Sequence, residues 1–449
     1  MLMKKLVTLL ILFVGMVSSA SATDYIVSGD ATITKNGHSW WWEDNDNKLV
    51  ETTTSGIYTL VVEGCALTKD TDYGFKVKVN ENAWNDGTTF PSDPYNINVP
   101  YTGTYTLTYF VDIANEKIRV VASPMLRWSL GGDGSGNWDW LYDSGSFFTK
   151  TGEFTWTFDV PYATFTSDFS FRIYSGVFKL SAFPNGQDKV LTYGGDVIPS
   201  AYIQTKEDAT WSWKLIKPSY AFEKVRITAT YDPFFDAVDG NGQWDVKADA
   251  YITKTVNKAQ KWATLGCDGA ALDLSGLAAK SITAYPLTVS SKGVITKGTP
   301  ITGVLAANKG VLLETAAAEN VTLSIPVSAE AGTDGSTQLI ATTGTHVDKV
   351  TESGYTNYIL TEQDSHVGFY MVNDSGNGML ANTAYLHVAD IYVPTEARAF
   401  FWFEDETTGI EAAKASQKMN GEFFNLAGQR VAQPAKGLYI VNGKKVIMK

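Results

Sequence analysis

The stretch Tyr73 to Val79, Y-G-F-K-V-K-V, decides the fold class. Its aromatic and aliphatic residues occupy every second position, so in an extended chain they share one face. Lys76 and Lys78 take the other face. This alternation is typical of a half-buried β-strand.

The same period of two recurs along most of the chain, and no long helical stripe competes with it. Gly, Asn, Asp and Pro interrupt the alternating runs at short intervals, as they do between antiparallel strands joined by tight turns. The sequence therefore predicts an all-β protein of tandem antiparallel β-sandwich modules with a short C-terminal β-hairpin segment. Three further runs show the alternation: Tyr105, Leu107 and Tyr109; Phe154, Trp156 and Phe158; Val225, Ile227 and Ala229.

The first residues have the pattern of a secretory signal peptide. Lys4 and Lys5 precede an apolar run, which small residues follow up to Ala22. We expect residues 1–22 to be removed. The apolar run is short for a spanning helix, and no later stretch approaches the roughly 20 apolar residues that such a helix needs. We therefore expect a soluble, exported protein.

Length and composition indicate that the rest of the chain consists of several modules. A chain of 449 residues exceeds what one hydrophobic core usually serves. Eleven of the thirteen tryptophans lie between Trp40 and Trp244, so the aromatic content falls sharply after that point. We predict modules at 23–123, 124–253 and 254–405, then a linker and a terminal β segment at 406–449. Cys65 and Cys267 fall in different modules, so we expect two inert thiols and no disulfide.

The net charge is −12 at pH 7. An acidic chain repels nucleic acid and anionic lipid, whereas a neutral glycan is indifferent to this charge. Nucleic acid is therefore not expected as a partner.

Two regions repeat one plan, in which an opening strand, a tryptophan-bearing loop and further strands follow each other. The first region resembles the starch-binding modules of the SusE and SusF outer-membrane proteins. The resemblance implies non-catalytic binding of a starch-like polysaccharide by a surface protein of a Gram-negative bacterium. The first region reads YIVSGDA (25–31), WWWED (40–44), GIYTLVV (56–62) and YGFKVKVNENAW (73–84); the second reads LRWSLGGDGSGNWDWL (126–141), GEFTWTFDV (152–160) and DFSFRIY (168–174).

The C-terminal residues FFNLAGQRV (423–431) and KGLYIVNGKKVIMK (436–449) resemble the sorting domain of type IX secretion cargo. Asn442-Gly443 is the dipeptide favoured in a type I′ hairpin turn, so a hairpin that only closes the fold is the alternative. The third module resembles an uncharacterised β domain of secreted proteins from the same bacteria. That resemblance implies a location and no activity.

Exposed aromatic rings beside amides or carboxylates are the residue types that hold sugars, because the ring stacks on the C–H face and polar groups bond the hydroxyls. Trp84 stands beside Asn85 in a polar stretch, and we expect it at the surface. Consecutive side chains of an extended chain point in opposite directions, so Trp40, Trp41 and Trp42 cannot all enter one core. The candidate carbohydrate-binding residues are Trp41, Trp42, Trp84, Asn85, Trp138 and Trp140.

Other tryptophans follow the alternation of a buried strand face. We expect Trp156 and, with less periodic support, Trp211 and Trp213 to belong to the core. Oxygen-bearing residues also alternate between Asp133 and Asp139. This run admits a calcium site, but it lacks the glycine and closing acid of an EF-hand. A solvated turn is the simpler interpretation, so we expect no metal.

No motif of catalysis is found: the sequence lacks a G-x-S-x-G elbow, an H-E-x-x-H pair, a P-loop and a G-x-G-x-x-G stretch. The histidines of the third module are single, which is typical of surface or satisfied residues. We therefore expect no enzyme and no cofactor. Two alternatives stay open, namely a structural or adhesive surface protein that binds another protein, and a glycoside hydrolase or its accessory with a carboxylate pair.

Overall fold

The computed structural model shows an all-β protein, as the sequence predicts. It describes residues 24–40, 45–79, 89–99, 101–123, 125–130, 139–140, 148–163, 165, 167–174, 181–184, 186–204, 211–235, 241–290, 294–363, 366–393, 401–402, 423–424, 430–431, 437–441 and 444–448. In these residues, the helical segments are 3₁₀ turns of three residues each, at Ala31–Ile33, Lys35–Gly37, Asn45–Asn47, Ala278–Lys280 and Asp390–Tyr392. Residues 1–22, which the sequence predicts to be a signal peptide, fall outside the described residues.

The chain forms two compact units. The first comprises Met1–Lys217 and Lys224–Ala250, and the second comprises Pro218–Glu223 and Tyr251–Lys449. The finer division into modules at residues 123, 253 and 405 stays a prediction. No helix in the described part of the chain is long and apolar enough to cross a bilayer.

The first unit begins with a sandwich of two antiparallel sheets, which we call the N-terminal sandwich. One sheet has the order β1-β4-β5 and the other β2-β3-β6-β7. A single core of aromatic and aliphatic side chains packs between them, with Phe75, Leu107 and Tyr109 at 0% exposure. The strands are β1 (Tyr25–Gly29), β2 (Val50–Glu51), β3 (Ile57–Leu67), β4 (Tyr73–Val79), β5 (Thr89–Ile97), β6 (Gly103–Asp112) and β7 (Lys117–Ala122).

The alternation in β4 places its residues as expected, with one correction. Phe75 and Val77 are fully buried. Lys78 lies on the opposite face, which the pattern predicts to be solvated, yet its exposed fraction is 2%. The outer face of this sheet is therefore covered at Lys78, whereas Lys76 on the same face is half-buried.

The rest of the first unit holds two further sheets. One has the order β10-β11-β18-β19, with β15 also paired to β19, and the other has the order β14-β17-β12-β13-β16, with β8 and β9 attached through β12. Trp156 and Trp213 are 2% and 0% exposed, which confirms that they are core residues; Trp211 is only partly buried. The strands are β8 (Met125–Leu130), β9 (Asp139–Trp140), β10 (Thr149–Lys150), β11 (Thr155–Pro161), β12 (Phe169–Tyr174), β13 (Ser181–Phe183), β14 (Lys189–Val190), β15 (Ile198–Pro199), β16 (Tyr202–Gln204), β17 (Trp213–Leu215), β18 (Lys224–Asp232) and β19 (Gln243–Val256).

The second unit is also built from antiparallel strands. Its larger sheet has the order β28-β33-β30-β31-β34, and a three-stranded sheet has the order β20-β26-β22. Leu312 of the smaller sheet shares a core with Leu339 and Tyr358 of the larger one. The strands are β20 (Trp262–Gly266), β21 (Ala271–Asp273), β22 (Ile282–Tyr285), β23 (Leu287–Val289), β24 (Ile295–Lys297), β25 (Val304–Leu305), β26 (Gly310–Thr315), β27 (Val321–Ser328), β28 (Leu339–Ala341), β29 (His346–Val347), β30 (Tyr355–Gln363), β31 (His366–Met371), β32 (Asn377–Gly378), β33 (Ala384–Ala389), β34 (Phe401–Trp402), β35 (Phe423–Phe424), β36 (Arg430–Val431), β37 (Gly437–Val441) and β38 (Lys444–Met448).

The C-terminal strands form the hairpin that the sequence predicts. β37 pairs with β38 in antiparallel register, with Val441 opposite Lys444. β35 and β36 extend this pair to a sheet of order β36-β35-β37-β38. The terminal segment is therefore a small sheet of its own, larger than a lone hairpin.

Both cysteines are free and buried, as expected from their separation. Burial raises the pKa of the Cys65 thiol to about 11. Since the thiolate is the reactive form, we expect the native protein to show no thiol that reacts with Ellman's reagent at pH 8, and two after denaturation in guanidinium chloride. A thiol that reacts rapidly in the native protein would contradict this placement.

Candidate functional site

The sequence-predicted sugar-binding residues are not placed by the structure. Trp41, Trp42, Trp84, Asn85 and Trp138 lie outside the described residues. Trp140 lies in β9, where its backbone pairs with Arg127 of β8. These six residues therefore stay predictions.

A different group of residues forms a cleft in the first unit, with a volume of about 440 Å³. One wall comes from the N-terminal sandwich and contains Pro94, Tyr95, Asn96 and Arg119. We call this set the sandwich wall. The residues of the sandwich wall lie on β5 and β7, which are edge strands of the two sandwich sheets. The cleft therefore opens along one edge of this sandwich.

The opposite wall, which we call the aromatic wall, contains Ile203, Tyr231, Asn241 and Trp244. The rings of Tyr231 and Trp244 stack with centroids 4.7 Å apart. The Tyr231 hydroxyl donates a hydrogen bond to the backbone oxygen of Asn241 at 2.8 Å. The Asn241 side-chain amide donates to the backbone oxygen of Ile203 at 3.0 Å. These contacts fix the wall before any ligand arrives.

Trp244 has a buried hydrogen-bond donor without an acceptor among the described residues. The residue is 0% exposed, and its indole nitrogen has no hydrogen-bond partner among the described residues. A buried donor without an acceptor costs about 1–3 kcal/mol, so native proteins seldom leave one.

On the sandwich wall, Tyr95 and Arg119 hold each other. Tyr95 packs against Phe75 of the core, with ring centroids 5.3 Å apart. Burial raises the pKa of Tyr95, and the neighbouring Arg119, which is hydrogen-bonded to this phenol, partly offsets the effect. The Arg119 guanidinium also donates from Nη1 to the backbone oxygen of Ile118 at 2.7 Å. Arg119 is thus kept at the cleft rather than free to rotate in solvent.

Aromatic packing beneath the cleft holds the two walls together. Phe110 lies on the outer face of the N-terminal sandwich but is 0% exposed. Its ring stacks on Phe154, with centroids 5.3 Å apart, and also contacts Trp156 and Tyr231. Lys150 places its ammonium 4.4 Å from the Trp156 ring centroid, and burial lowers the pKa of Lys150 to about 8. The spacing of the walls is therefore set by apolar contacts, which are strong in water.

The lining combines apolar surface with a few hydrogen-bonding groups. Aromatic and aliphatic surfaces stand beside two amides and one guanidinium. No carboxylate, imidazole or thiol is present among the described residues that line the cleft, so they provide no acid-base pair for glycoside hydrolysis. Elsewhere in the described residues, no group of three or more His, Cys, Asp and Glu lies close enough to hold a metal ion.

A buried polar network in the second unit is satisfied internally. Asn357 is 0% exposed, and its amide nitrogen donates to the backbone oxygen of Asp348 and to the hydroxyl of Thr351. Its oxygen therefore accepts from Nδ1 of His387 at 2.7 Å, while Tyr355 stacks on the imidazole. His387 is thus a satisfied structural residue, in line with the interpretation of single histidines.

The comparisons with known proteins add no assignment. No family model matches the chain, and no curated protein matches it either.

Proposed function

We propose that this protein is a non-catalytic carbohydrate-binding protein of the bacterial cell surface, exported by its signal peptide. The observation that carries the proposal is the cleft of the first unit, with rings, two amides and a guanidinium around about 440 Å³. This volume lies within the range of small-ligand sites. Starch-like polysaccharide is the ligand class implied by the resemblance to SusE and SusF modules.

Sugars suit this lining for physical reasons. A pyranose ring presents C–H groups that pack on apolar and aromatic surface, and hydroxyls that exchange hydrogen bonds with amides. Asn96 is exposed at the rim of the cleft, where its amide can reach a hydroxyl. The fixed walls reduce the entropy that binding must overcome.

We expect Asn96→Ala to weaken glycan binding about two- to tenfold, the worth of one or two neutral hydrogen bonds. Affinity electrophoresis of the mature chain in gels that contain starch, xylan, pectin or mucin measures this loss. Asn98→Ala is the matched control, because Asn98 lies two residues along and bonds Asp72 outside the cleft lining. The control should migrate as the wild type does.

Other results would replace the proposal. If no polysaccharide retards the wild-type chain, carbohydrate binding is wrong, and capture of a surface protein would then favour the adhesive alternative. Release of reducing sugar by the purified chain would show an enzyme. If Trp84→Ala abolishes retention and Asn96→Ala does not, the tryptophan loops are the site and the cleft is not.

A further inference from the structure

A tryptophan of the N-terminal sandwich lies next to the cleft. Trp40 is in the loop between β1 and β2 and is half-buried. A Cβ atom added to Gly74 of β4 would lie 3.6 Å from Cζ2 of Trp40. The same atom would lie 3.3 Å from Cβ of Pro94 and 3.1 Å from Oδ1 of Asn96, and these two residues also line the cleft. Trp40, Pro94 and Asn96 therefore form one surface beside the cleft, which we call the outer platform.

The outer platform lies on the outer face of the sheet β1-β4-β5. Gly74 alternates in β4 with Tyr73 and Phe75, which belong to the core, so the face at Gly74 is the one turned away from the core. Gly74 is opposite Asn96 of β5 in the strand register, and paired residues of antiparallel strands share a face. The platform residues are exposed or half-buried. A ligand in the cleft can therefore continue onto this face.

The backbone holds the indole at this place in a costly conformation. Trp40 has a φ of 52°, in the left-handed region that a bulky residue seldom adopts. Its N–H donates to the backbone oxygen of Gly29 at 2.6 Å. Earlier in the loop, the Tyr109 hydroxyl donates to the backbone oxygen of Ile33 at 2.7 Å. Strained residues that their surroundings hold in place cluster at ligand sites, and a fixed ring loses little entropy on binding.

We infer that the glycan site extends from the cleft across Asn96 onto Trp40, and that it recognises a linear chain of several sugar units. The inference rests on the proposed function and specifies its ligand by length. An indole packs on the C–H face of a sugar, and the Asn96 amide between the indole and the cleft bonds the hydroxyls.

Length dependence follows from this arrangement. A disaccharide is held in the cleft alone, whereas a longer chain contacts the cleft and the outer platform together. Two contact regions on one molecule raise its affinity, because the second contact forms at a high effective concentration. Trp40 is not among the six sugar-binding residues predicted from the sequence, so this assignment adds a residue to the site.

A chain-length series tests the inference on the unaltered protein. Isothermal titration of the full mature chain would use linear oligosaccharides of the polysaccharide that retards it in the gel panel. The series are maltose to maltoheptaose for starch, xylobiose to xylohexaose for xylan, and digalacturonate to hexagalacturonate for pectin. We expect the longest member to bind about tenfold more tightly than the disaccharide.

Variants then assign the length dependence to one side chain. Asparagine tolerates the left-handed region, so Trp40→Asn removes the indole without adding backbone strain. It should weaken binding of the longest oligosaccharide about tenfold and leave the affinity for the disaccharide nearly unchanged. Trp40→Tyr keeps an aromatic ring and should retain most of the length dependence.

Trp211→Asn is the matched control. It makes the same substitution at another half-buried tryptophan of the first unit, which is not among the described residues that line the cleft. Both affinities should stay unchanged in this variant. Urea unfolding of each variant shows whether it is folded.

The outcomes separate the two proposals. Equal affinity for the disaccharide and the longest oligosaccharide overturns the extended site, while carbohydrate binding stands. A length dependence that Trp40→Asn keeps, an equal loss in Trp211→Asn, or retardation by branched mucin glycans alone also overturns it. If no polysaccharide of the gel panel binds, both proposals are wrong.

A measurement on the wild type decides the matter if Trp40→Asn does not fold. The longest oligosaccharide should slow hydrogen exchange of the amides of residues 30–40, and the disaccharide should not. Equal exchange of this loop with both ligands overturns the extended site.

Discussion

Replacing Gly310 by alanine is expected to destabilise the second unit by about 3 kcal/mol, as overpacking in a closed core does. Gly310 begins β26, where the two sheets of this unit meet. A Cβ atom at this position would lie 2.3 Å from the Cβ of Ala384 and 3.0 Å from that of Leu339. Both contacted atoms are Cβ atoms, which cannot move away unless the backbone moves with them. The sheets must therefore separate to admit one methyl group.

Urea unfolding of the whole chain measures the loss, and hydrogen exchange of the β26 amides assigns it to the second unit. Gly303→Ala is the matched control, because a Cβ there has nothing within 4 Å. We expect its effect to stay within about 0.5 kcal/mol. Equal stability of the two variants would show that the sheets are not as closely packed at Gly310 as the structure has them.

Removing the Cys267 thiol is expected to make the second unit less sensitive to alkali. Burial raises the pKa of Cys267 from 9.0 to about 12, so the folded thiol keeps its proton where the unfolded thiol ionises. The contribution of this shift to stability is fully present below pH 9 and is lost as the pH rises towards 12. A shift of this size amounts to about 4 kcal/mol in total.

Between pH 8 and pH 11 we expect the free energy of unfolding of Cys267→Ser to fall by about 3 kcal/mol less than that of the wild type. The reason is that a serine hydroxyl does not ionise in this range. Urea unfolding followed by circular dichroism at the two pH values gives the difference. Burial also lowers the pKa of Lys254 to about 8. This shift raises the free energy of unfolding as the pH rises from 8 to 10.5. The increase is the same in the wild type and in Cys267→Ser, so it cancels in the difference between them.

The control for the alkaline experiment is Thr264→Ser, which alters a buried residue three positions before Cys267 without removing a titrating group. Thr264 accepts a hydrogen bond from the Ala384 backbone, and serine preserves that hydroxyl. This variant should keep the pH dependence of the wild type. If Cys267→Ser also keeps it, the thiol is not protected from ionisation in the folded chain.

The fold class followed from the sequence because alternation is a local signal. Tyr105, Leu107 and Tyr109 share one buried face of β6, and Val225, Ile227 and Ala229 share one buried face of β18. The predicted exposure of Lys78 was wrong, because a period of two shows which face of a strand a side chain lies on and does not show what covers that face. The covering layer comes from residues distant in the chain, and no local pattern encodes it.

The cleft could not be predicted for the same reason. Its walls come from residues near 95, 119, 203 and 244, and each stretch looks ordinary alone. Arg119 stands in the alternating run Lys117 to Ala122, where a charged residue indicates a solvated face. Trp244 is the second residue of the alternating strand β19; its position in the pattern indicates a core residue, and it is fully buried. The packing of Phe110 against Phe154, Trp156 and Tyr231 brings these residues to one place.

That packing has a practical consequence for dissecting the protein. A fragment that ends near residue 123 would uncover Phe110, Thr108 and Val121, which are 0%, 1% and 1% exposed in the whole chain. Contiguous apolar surface of this kind promotes self-association in water. Such a fragment would also carry only one wall of the cleft, so its failure to retain a glycan would not count against the proposed function. Shorter expression products should keep residues 24 to 250 together.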